Sequence, residues 1–297
     1  MISRSRLFSF AKFGRRANTY QRKSSAGQWK GFAGEPRILV HAHIYKNAGT
    51  SVDRLLEQSF GKNWMNWDSA APQKSLRSTD IHEVVRQNPG IMALSSHSSR
   101  LVWPNLIPEA LPIVFLRHPI DRALSVYKFA GRDSTQPDHV HARGTFRDYV
   151  EWALTSSDGG IVIRNYQVTH LSEAPLRVSH VWHAEPSGAD LRHALDLLAE
   201  WPAFGIVRQF QRSMARFQRA YAHAFPGLLL SDVHLNASPY PFRTERAAIE
   251  AGLEMLGPGL FDDLCGVNEL DLDLYKEAVQ RFEQDHVDEK QHEPSVA

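Results

Sequence analysis

Cysteine is nearly absent: Cys265 is the one thiol in 297 residues. That excludes an internal disulfide and gives no sign of an oxidising compartment. No apolar run approaches the length of a membrane span. Charge of one sign is also lacking, with 34 Lys and Arg against 33 Asp and Glu for a net +1. A chain so balanced is not a polycation built for nucleic acid, although a local positive field can still hold a small polyanion. The Walker A pattern, which places a lysine directly after its last glycine, is missing. No internal repeat is evident. There are 15 histidines, but His180 and His183 have no cysteine or carboxylate at ligand spacing, and no metal signature is found.

Two strand–turn–helix segments carry the information. The apolar run Ile38 to Ile44 feeds Tyr45-Lys46-Asn47-Ala48-Gly49-Thr50-Ser51, which opens into a helix at Val52-Asp53-Arg54-Leu55-Leu56. Small residues and one lysine at the start of a helix suit an anion: backbone N–H groups point at it and the lysine adds a point charge. The second segment runs from Pro112 through Arg117-His118-Pro119 to Ser125 and Tyr127. Pro119 suits a first helical turn, Arg117 ends the strand, and Ser125 lies about two turns into the helix. Open α/β sheets bind ligands at the carboxyl ends of their strands, so Lys46 and Arg117 are expected to flank one site for a ligand with two anionic groups.

Together these segments resemble the sulfotransferases that use 3′-phosphoadenosine 5′-phosphosulfate (PAPS), in the branch containing the heparan-sulfate 2-O- and 6-O-sulfotransferases and bacterial relatives. In that family a K-x-A/G-G/S-T-S loop holds the 5′-phosphosulfate, and a later R-x-P-x-x-R-x-x-S-x-Y segment holds the 3′-phosphate. Asn47 and Tyr45 depart from the usual Thr and Pro. Asn165-Tyr166-Gln167 looks like the family's N-x-Q segment, and Asn268 to Tyr275 like its terminal N-x-x-D-x-x-L-Y helix.

The resemblance implies a P-loop-NTPase-like three-layer α/β fold with a central parallel sheet flanked by helices. It also implies PAPS as donor, 3′-phosphoadenosine 5′-phosphate as product, no metal requirement, and a carbohydrate or glycoconjugate acceptor. The implied cofactor residues are Lys46, Asn47, Ala48, Gly49, Thr50, Ser51, Arg117 and Ser125, with Arg243 and Thr244 from a later basic loop.

Sulfuryl transfer to a hydroxyl needs a base, and histidine is suited near neutral pH. His97 ends the strand-like run Ile91 to Ser96, so it projects from the same sheet edge as Lys46 and Arg117; His41 and His43 read as packed strand residues. Trp64, Trp67 and Trp103 offer faces for a sugar ring, though aromatic residues are also core material. Each residue has a plainer reading: Lys46 as a surface turn lysine, Thr50 and Ser51 as helix caps, Arg117 in a strand-end ion pair with Asp121 or another acid, Thr244 as an N-cap, and His97 as a strand-end cap. A small-molecule P-loop kinase and a non-catalytic nucleotide- or glycan-binding protein are the alternatives.

Residues 1–34 hold Arg4, Arg6, Lys12, Arg15, Arg16, Arg22, Lys23 and Lys30 before the first acid, Glu35. Such a segment reads as a solvated, disordered tail, or as a peripheral contact to a membrane surface or polyanion. It precedes a single domain over 35–288 and a polar tail over 289–297. Strands are predicted near 37–44, 91–96, 112–116 and 203–207. Helices are predicted near 50–60, 119–130, 145–155, 160–171, 188–200, 209–224, 244–256 and 269–285, with loops over 61–80, 131–143 and 225–243. The expectation is a soluble, cytoplasmic protein of bacterial type.

Overall fold

The structure, a computed structural model, describes residues 38–70, 75–100, 110–156, 160–230 and 242–292. The basic segment 1–34, Trp103 and most of the loop before Arg243 lie outside the described residues. The first strand, β1 (Ile38–Ala42), is buried at every position, as a run without alternation must be in a sheet covered on both faces. It is followed by α1 (Gly49–Phe60), β2 (Trp64–Asn66), α2 (Ser78–Gln87) and β3 (Ala93–Ser96). Next come β4 (Ala110–Ile113), β5 (Phe115–Leu116), α3 (Pro119–Ala130), α4 (Phe146–Thr155), α5 (Tyr166–His170) and α6 (Gly188–Glu200). The chain continues through β6 (Gly205–Ile206), α7 (Phe210–Tyr221), α8 (Glu245–Leu256), α9 (Pro258–Gly266) and α10 (Glu269–His292).

Four strands form a parallel sheet in the order β2-β3-β1-β4, and β5 pairs with β6 in a second, two-stranded parallel ladder. β1 is central: His41 pairs in register with Ser95 of β3 on one side and with Ile113 of β4 on the other. From β1 the chain runs to the edge strand β2, returns inward to β3 beside β1, then crosses to the opposite side for β4. The β1/β4 boundary is therefore the topological switch point, where the loops after neighbouring strands diverge and open a crevice. An apolar cluster joins the sheet to α1 and α7 through Leu39, Leu111, Leu56, Phe115, Phe217 and Tyr221. A second cluster joins α3, α4, α8 and α9.

The expected α/β architecture with a central parallel sheet is present, with local corrections. The segment 61–80, read as loop, contains β2 and the start of α2. The predicted strand 112–116 is divided between β4 and β5 at Val114. The predicted helix 160–171 is a 3-10 turn, Gly160–Ile163, and the short α5. α9 had no counterpart in the sequence reading, and α10 runs to His292, into the segment expected as a tail. Among the described residues no helix is long and apolar enough to cross a membrane.

Candidate functional site

The loop after β1 reaches α1 through two left-handed residues, Lys46 and Ala48, each with φ near 65°. Non-glycine residues rarely adopt this conformation, and where they do the site is often functional. Gly49 is already helical. It must be glycine for another reason: a Cβ there would lie 1.9 Å from Cδ2 of His43. The helix start has no side-chain cap and no acid in its first turn. The Ser51 N–H donates to the Ala48 carbonyl at 3.0 Å, so it is the N–H groups of Gly49 and Thr50, without an intrahelical acceptor, that stand at the positive end of the helix dipole. Thr50 is exposed and Ser51 half-buried in that turn, and neither serves as the N-cap.

Lys46 is half-buried, with Nζ 3.8 Å from the centroid of the Phe129 ring on α3. Burial, followed by the nearby charges of Arg117 and Arg132, pushes its pKa down to about 8. Asn47 behaves differently from the expectation that it faces ligand. Its side chain is buried and donates to the carbonyl of Phe115 at 2.7 Å and to Oε1 of Gln167 at 2.8 Å. Gln167 Oε1 in turn accepts from the N–H of Arg117 at 2.9 Å, and its Nε2 donates to the Arg117 carbonyl. Asn47 and Gln167 thus tie the two sequence loops together across the switch point.

Gln167 is held from behind. Buried Asp271 accepts from the N–H groups of Gln167 and Val168 at 3.0 and 2.8 Å. Asn165 exchanges hydrogen bonds with Asn268 and Asp271. The two segments singled out in the sequence, 165–167 and 268–275, are one docking element.

Arg117 is buried and makes two hydrogen bonds to Asp121, at 2.9 and 3.1 Å, and one to the carbonyl of Lys46. Arg208, on the turn after β6, meets the same carboxylate at 2.9 and 2.7 Å. The plainer reading of Arg117 as an Asp121 ion pair is therefore present in the structure. Arg208 had no sequence signal, because its partner is 87 residues away. Ser125 is buried on α3, one turn beyond Asp121 on the same helical face. His118 caps α3, its Nδ1 accepting from Ile120 N–H, and burial lowers its pKa to about 4. Thr244 caps α8, its hydroxyl accepting from Ala247 N–H at 3.1 Å, and Arg243 is exposed beside it.

His97 follows β3 and is half-exposed. Its Nδ1 lies 3.2 Å from Oδ2 of Asp68, whose Oδ1 accepts from the His97 N–H at 2.6 Å and from Ser96 Oγ at 2.9 Å. Burial works to raise the pKa of Asp68, but His97, Ser96 and Ser98 outweigh it and hold the carboxyl well below the usual carboxylate range. A carboxylate at Nδ1 leaves Nε2 of a neutral ring as the acceptor. The sequence reading missed Asp68 because it follows the three-residue strand β2 inside a segment read as loop.

The His97 ring stacks on His43 with 3.8 Å between centroids. His43 packs against Gly49, so His97 stands one ring away from the start of α1. His43 Nδ1 lies 2.9 Å from Asp53 Oδ2, out of line for a hydrogen bond, and His41 Nδ1 lies 2.8 Å from Asp53 Oδ1. Burial lowers the pKa of His41 to about 4 against the pull of Asp53. His41, His43 and Asp53 present ligand atoms within 4.8 Å of one another, a donor set of the kind that holds a metal ion. The sequence reading found no metal signature, because these atoms come together only when α1 folds back on β1. Gly49→Ala is expected to destabilise the protein by about 1–3 kcal/mol through overpacking, read as a shift in the urea midpoint, and to displace His43 from beneath His97.

A cleft of about 280 Å³ opens at His97, lined by Asp68, Arg100, Tyr166, His170 and Trp182 among others. Trp64 does not face it: the indole N–H donates to Ser95 Oγ at 3.1 Å and the ring packs on the sheet cluster. Trp67 is half-buried beside Asp68, its N–H bonded to the Ser95 carbonyl. Trp182, unremarked in the sequence, is the aromatic wall of the cleft.

Fold and site together define an α/β protein with a lysine-bearing loop and an uncapped helix start at the switch point of a parallel sheet, beside a histidine–aspartate pair. No family model matches the chain. An uncharacterized protein of Archaeoglobus fulgidus is 27% identical over 254 residues, covering 83% of this chain and 98% of that protein.

Proposed function

We propose that this protein is a sulfotransferase that moves the sulfuryl group of PAPS to a hydroxyl, most simply of a carbohydrate. The observation that carries this reading is the His97–Asp68 pair stacked, through His43, against Gly49 at the uncapped start of α1. A base and an anion cradle then share one crevice. The two loops' resemblance to the PAPS-dependent family supports the donor. The residues present also fit a phosphosulfate: first-turn N–H groups, the Thr50 and Ser51 hydroxyls and Lys46 are all donors, and no acid stands in the first turn of α1.

In this reading the donor supplies the sulfuryl group. His97 Nε2 takes the proton of the acceptor hydroxyl as that oxygen bonds to sulfur. Asp68 keeps the ring oriented and stabilises the imidazolium that forms. As the bond from sulfur to the phosphate oxygen breaks, that oxygen keeps the electron pair. Lys46 and the α1 N–H groups stabilise the charge it gains, as preorganised donors do at an oxyanion site. Arg117, held between Asp121 and the Lys46 carbonyl, lends positive charge to the far side of the crevice.

Titration calorimetry with 3′-phosphoadenosine 5′-phosphate, ATP and adenosine 5′-phosphate tests the donor site. Selective binding of the first, weakened by Arg117→Ala, is expected. Lysine is cationic below its pKa, so the cradle loses this charge as pH rises through about 8. Affinity should therefore fall from about pH 8 upward, by at most about tenfold per pH unit, and Lys46→Met should abolish the dependence. Equal or absent binding of all three nucleotides would reject the proposal.

A further inference from the structure

Two histidines at and just past the end of β1 meet one carboxylate of α1. His41 and His43 are two residues apart in extended chain, so their side chains leave the same side of the sheet. Their rings stack with 5.2 Å between centroids. Both are buried, His41 at 1% and His43 at 8% exposure. Each turns Nδ1 to Asp53, in the second turn of α1: His41 at 2.8 Å from Oδ1 and His43 at 2.9 Å from Oδ2. One ligand atom from each of the three residues lies within 4.8 Å of the others.

Hydrogen bonding alone does not account for this arrangement. His43 Nδ1 is buried without a hydrogen-bond partner although a carboxylate oxygen is 2.9 Å away. Its desolvation is thus uncompensated, which folded proteins rarely allow. A cation held by the nitrogen and the carboxylate together satisfies both. The surroundings fix the donors. Ser95 Oγ lies 3.2 Å from His41 Nδ1 and accepts from the Trp64 indole at 3.1 Å. The His97 ring stacks on His43, and a Cβ at position 49 would strike the His43 ring. Ligand rings oriented by such neighbours are a property of metal sites.

We propose that His41, His43 and Asp53 bind one divalent transition-metal ion of the zinc class, tying α1 to β1 beside His97. Two imidazoles and a carboxylate suit zinc and its first-row neighbours; magnesium and calcium take oxygen shells. Bonds of about 2.0–2.2 Å give tetrahedral edges of about 3.4 Å, so the donors part by roughly half an ångström to admit the ion. Three protein ligands leave a fourth position for water. The bound ion fixes the ring on which His97 stacks and against which Gly49 packs, and so sets the strand-end histidine relative to the start of α1. The inference stands apart from the sulfuryl-transfer reading, and no step of that reaction passes through the ion.

The test uses the full, untagged chain, stripped with a chelator and desalted. It is titrated with zinc against a chromophoric competitor, and with cobalt as spectroscopic probe. One tightly held zinc per chain is expected, which magnesium and calcium do not displace. Cobalt should give the intense visible bands of a four-coordinate site without a thiolate charge-transfer band, since Cys265 is not a ligand. Zinc at about a hundredfold over its Kd should raise the thermal midpoint by about 5–10 °C. Asp53→Asn and His41→Gln should each weaken zinc binding by more than about 100-fold, beyond the loss expected for an outer contact.

The proposal is overturned if either variant binds zinc as tightly as wild type, because the ion then sits on other histidines. It is equally overturned if cobalt is six-coordinate or thiolate-bound, or if magnesium displaces zinc. The wild-type stoichiometry and cobalt spectrum decide the matter even where a variant fails to fold. Every readout is taken without nucleotide, so a failure here is distinct from a failure to bind 3′-phosphoadenosine 5′-phosphate.

Discussion

His97→Ala should lower turnover by roughly two to four orders of magnitude, the contribution of a positioned general base, while leaving the affinity for 3′-phosphoadenosine 5′-phosphate unchanged. The separation follows from position. His97 stands at the end of β3 on the cleft side, and the anion cradle is built by the loop after β1 and the start of α1. The stacked His43 ring lies between them. Removing the imidazole takes away the proton acceptor but none of the donors that face the nucleotide. Single-turnover kinetics with preloaded donor would isolate the chemical step. Asp68→Ala should fall between wild type and His97→Ala in turnover, because the ring keeps its stacking on His43 but loses the carboxylate at Nδ1. If His97→Ala retained turnover within about threefold of wild type, well below the usual range for a general base, the base would have to be sought elsewhere. Loss of nucleotide binding together with turnover would make His97 a structural residue.

Asp121→Ala should destabilise the protein by about 3–5 kcal/mol, the range for breaking a buried ion pair by removing one partner. Asp121 is fully buried, and its two oxygens receive both Arg117 and Arg208. Without the carboxylate, two guanidinium groups, Arg117 buried and Arg208 partly so, are left close together without their shared counter-ion. The urea midpoint and the slope of the transition, measured together, separate a loss of stability from a change in cooperativity. Asp121→Asn keeps the shape and one acceptor but not the charge, so its cost should be smaller. A loss below about 1 kcal/mol, the scale of an exposed pair, would mean that the arginines relax to solvent and that Asp121 does not organise the site. Arg117 also donates to the Lys46 carbonyl, so nucleotide affinity should fall in Asp121→Ala even under conditions where the protein remains folded.

The parts legible in the sequence share a physical character: they are local. A run such as Ile38 to Ile44 followed by small residues and a helix reports a strand–turn–helix, because backbone geometry, capping and helix dipole act over a few residues. The same holds for Pro119 at the start of α3 and for the long α10. Asn165, Gln167, Asn268 and Asp271 were visible as two separate segments, but their mutual docking was not. Asn47 shows the limit inside a legible motif: its position in the loop was right, yet its amide turns inward to Phe115 and Gln167, because a buried polar group must find partners wherever the fold provides them.

The sequence by itself determined a parallel α/β sheet, the two loops at its carboxyl edge, and His97 as a strand-end histidine. Only the tertiary structure decided what those residues meet. It brought Asp68 under His97, Arg208 onto Asp121, Asp53 beneath His41 and His43, and Arg100 with Trp182 to one cleft. The reason is that charge pairing, desolvation and ring stacking depend on distance in space. The folding of α1 onto β1 and the crossovers between parallel strands bring together groups that lie 10 to 87 residues apart in the chain.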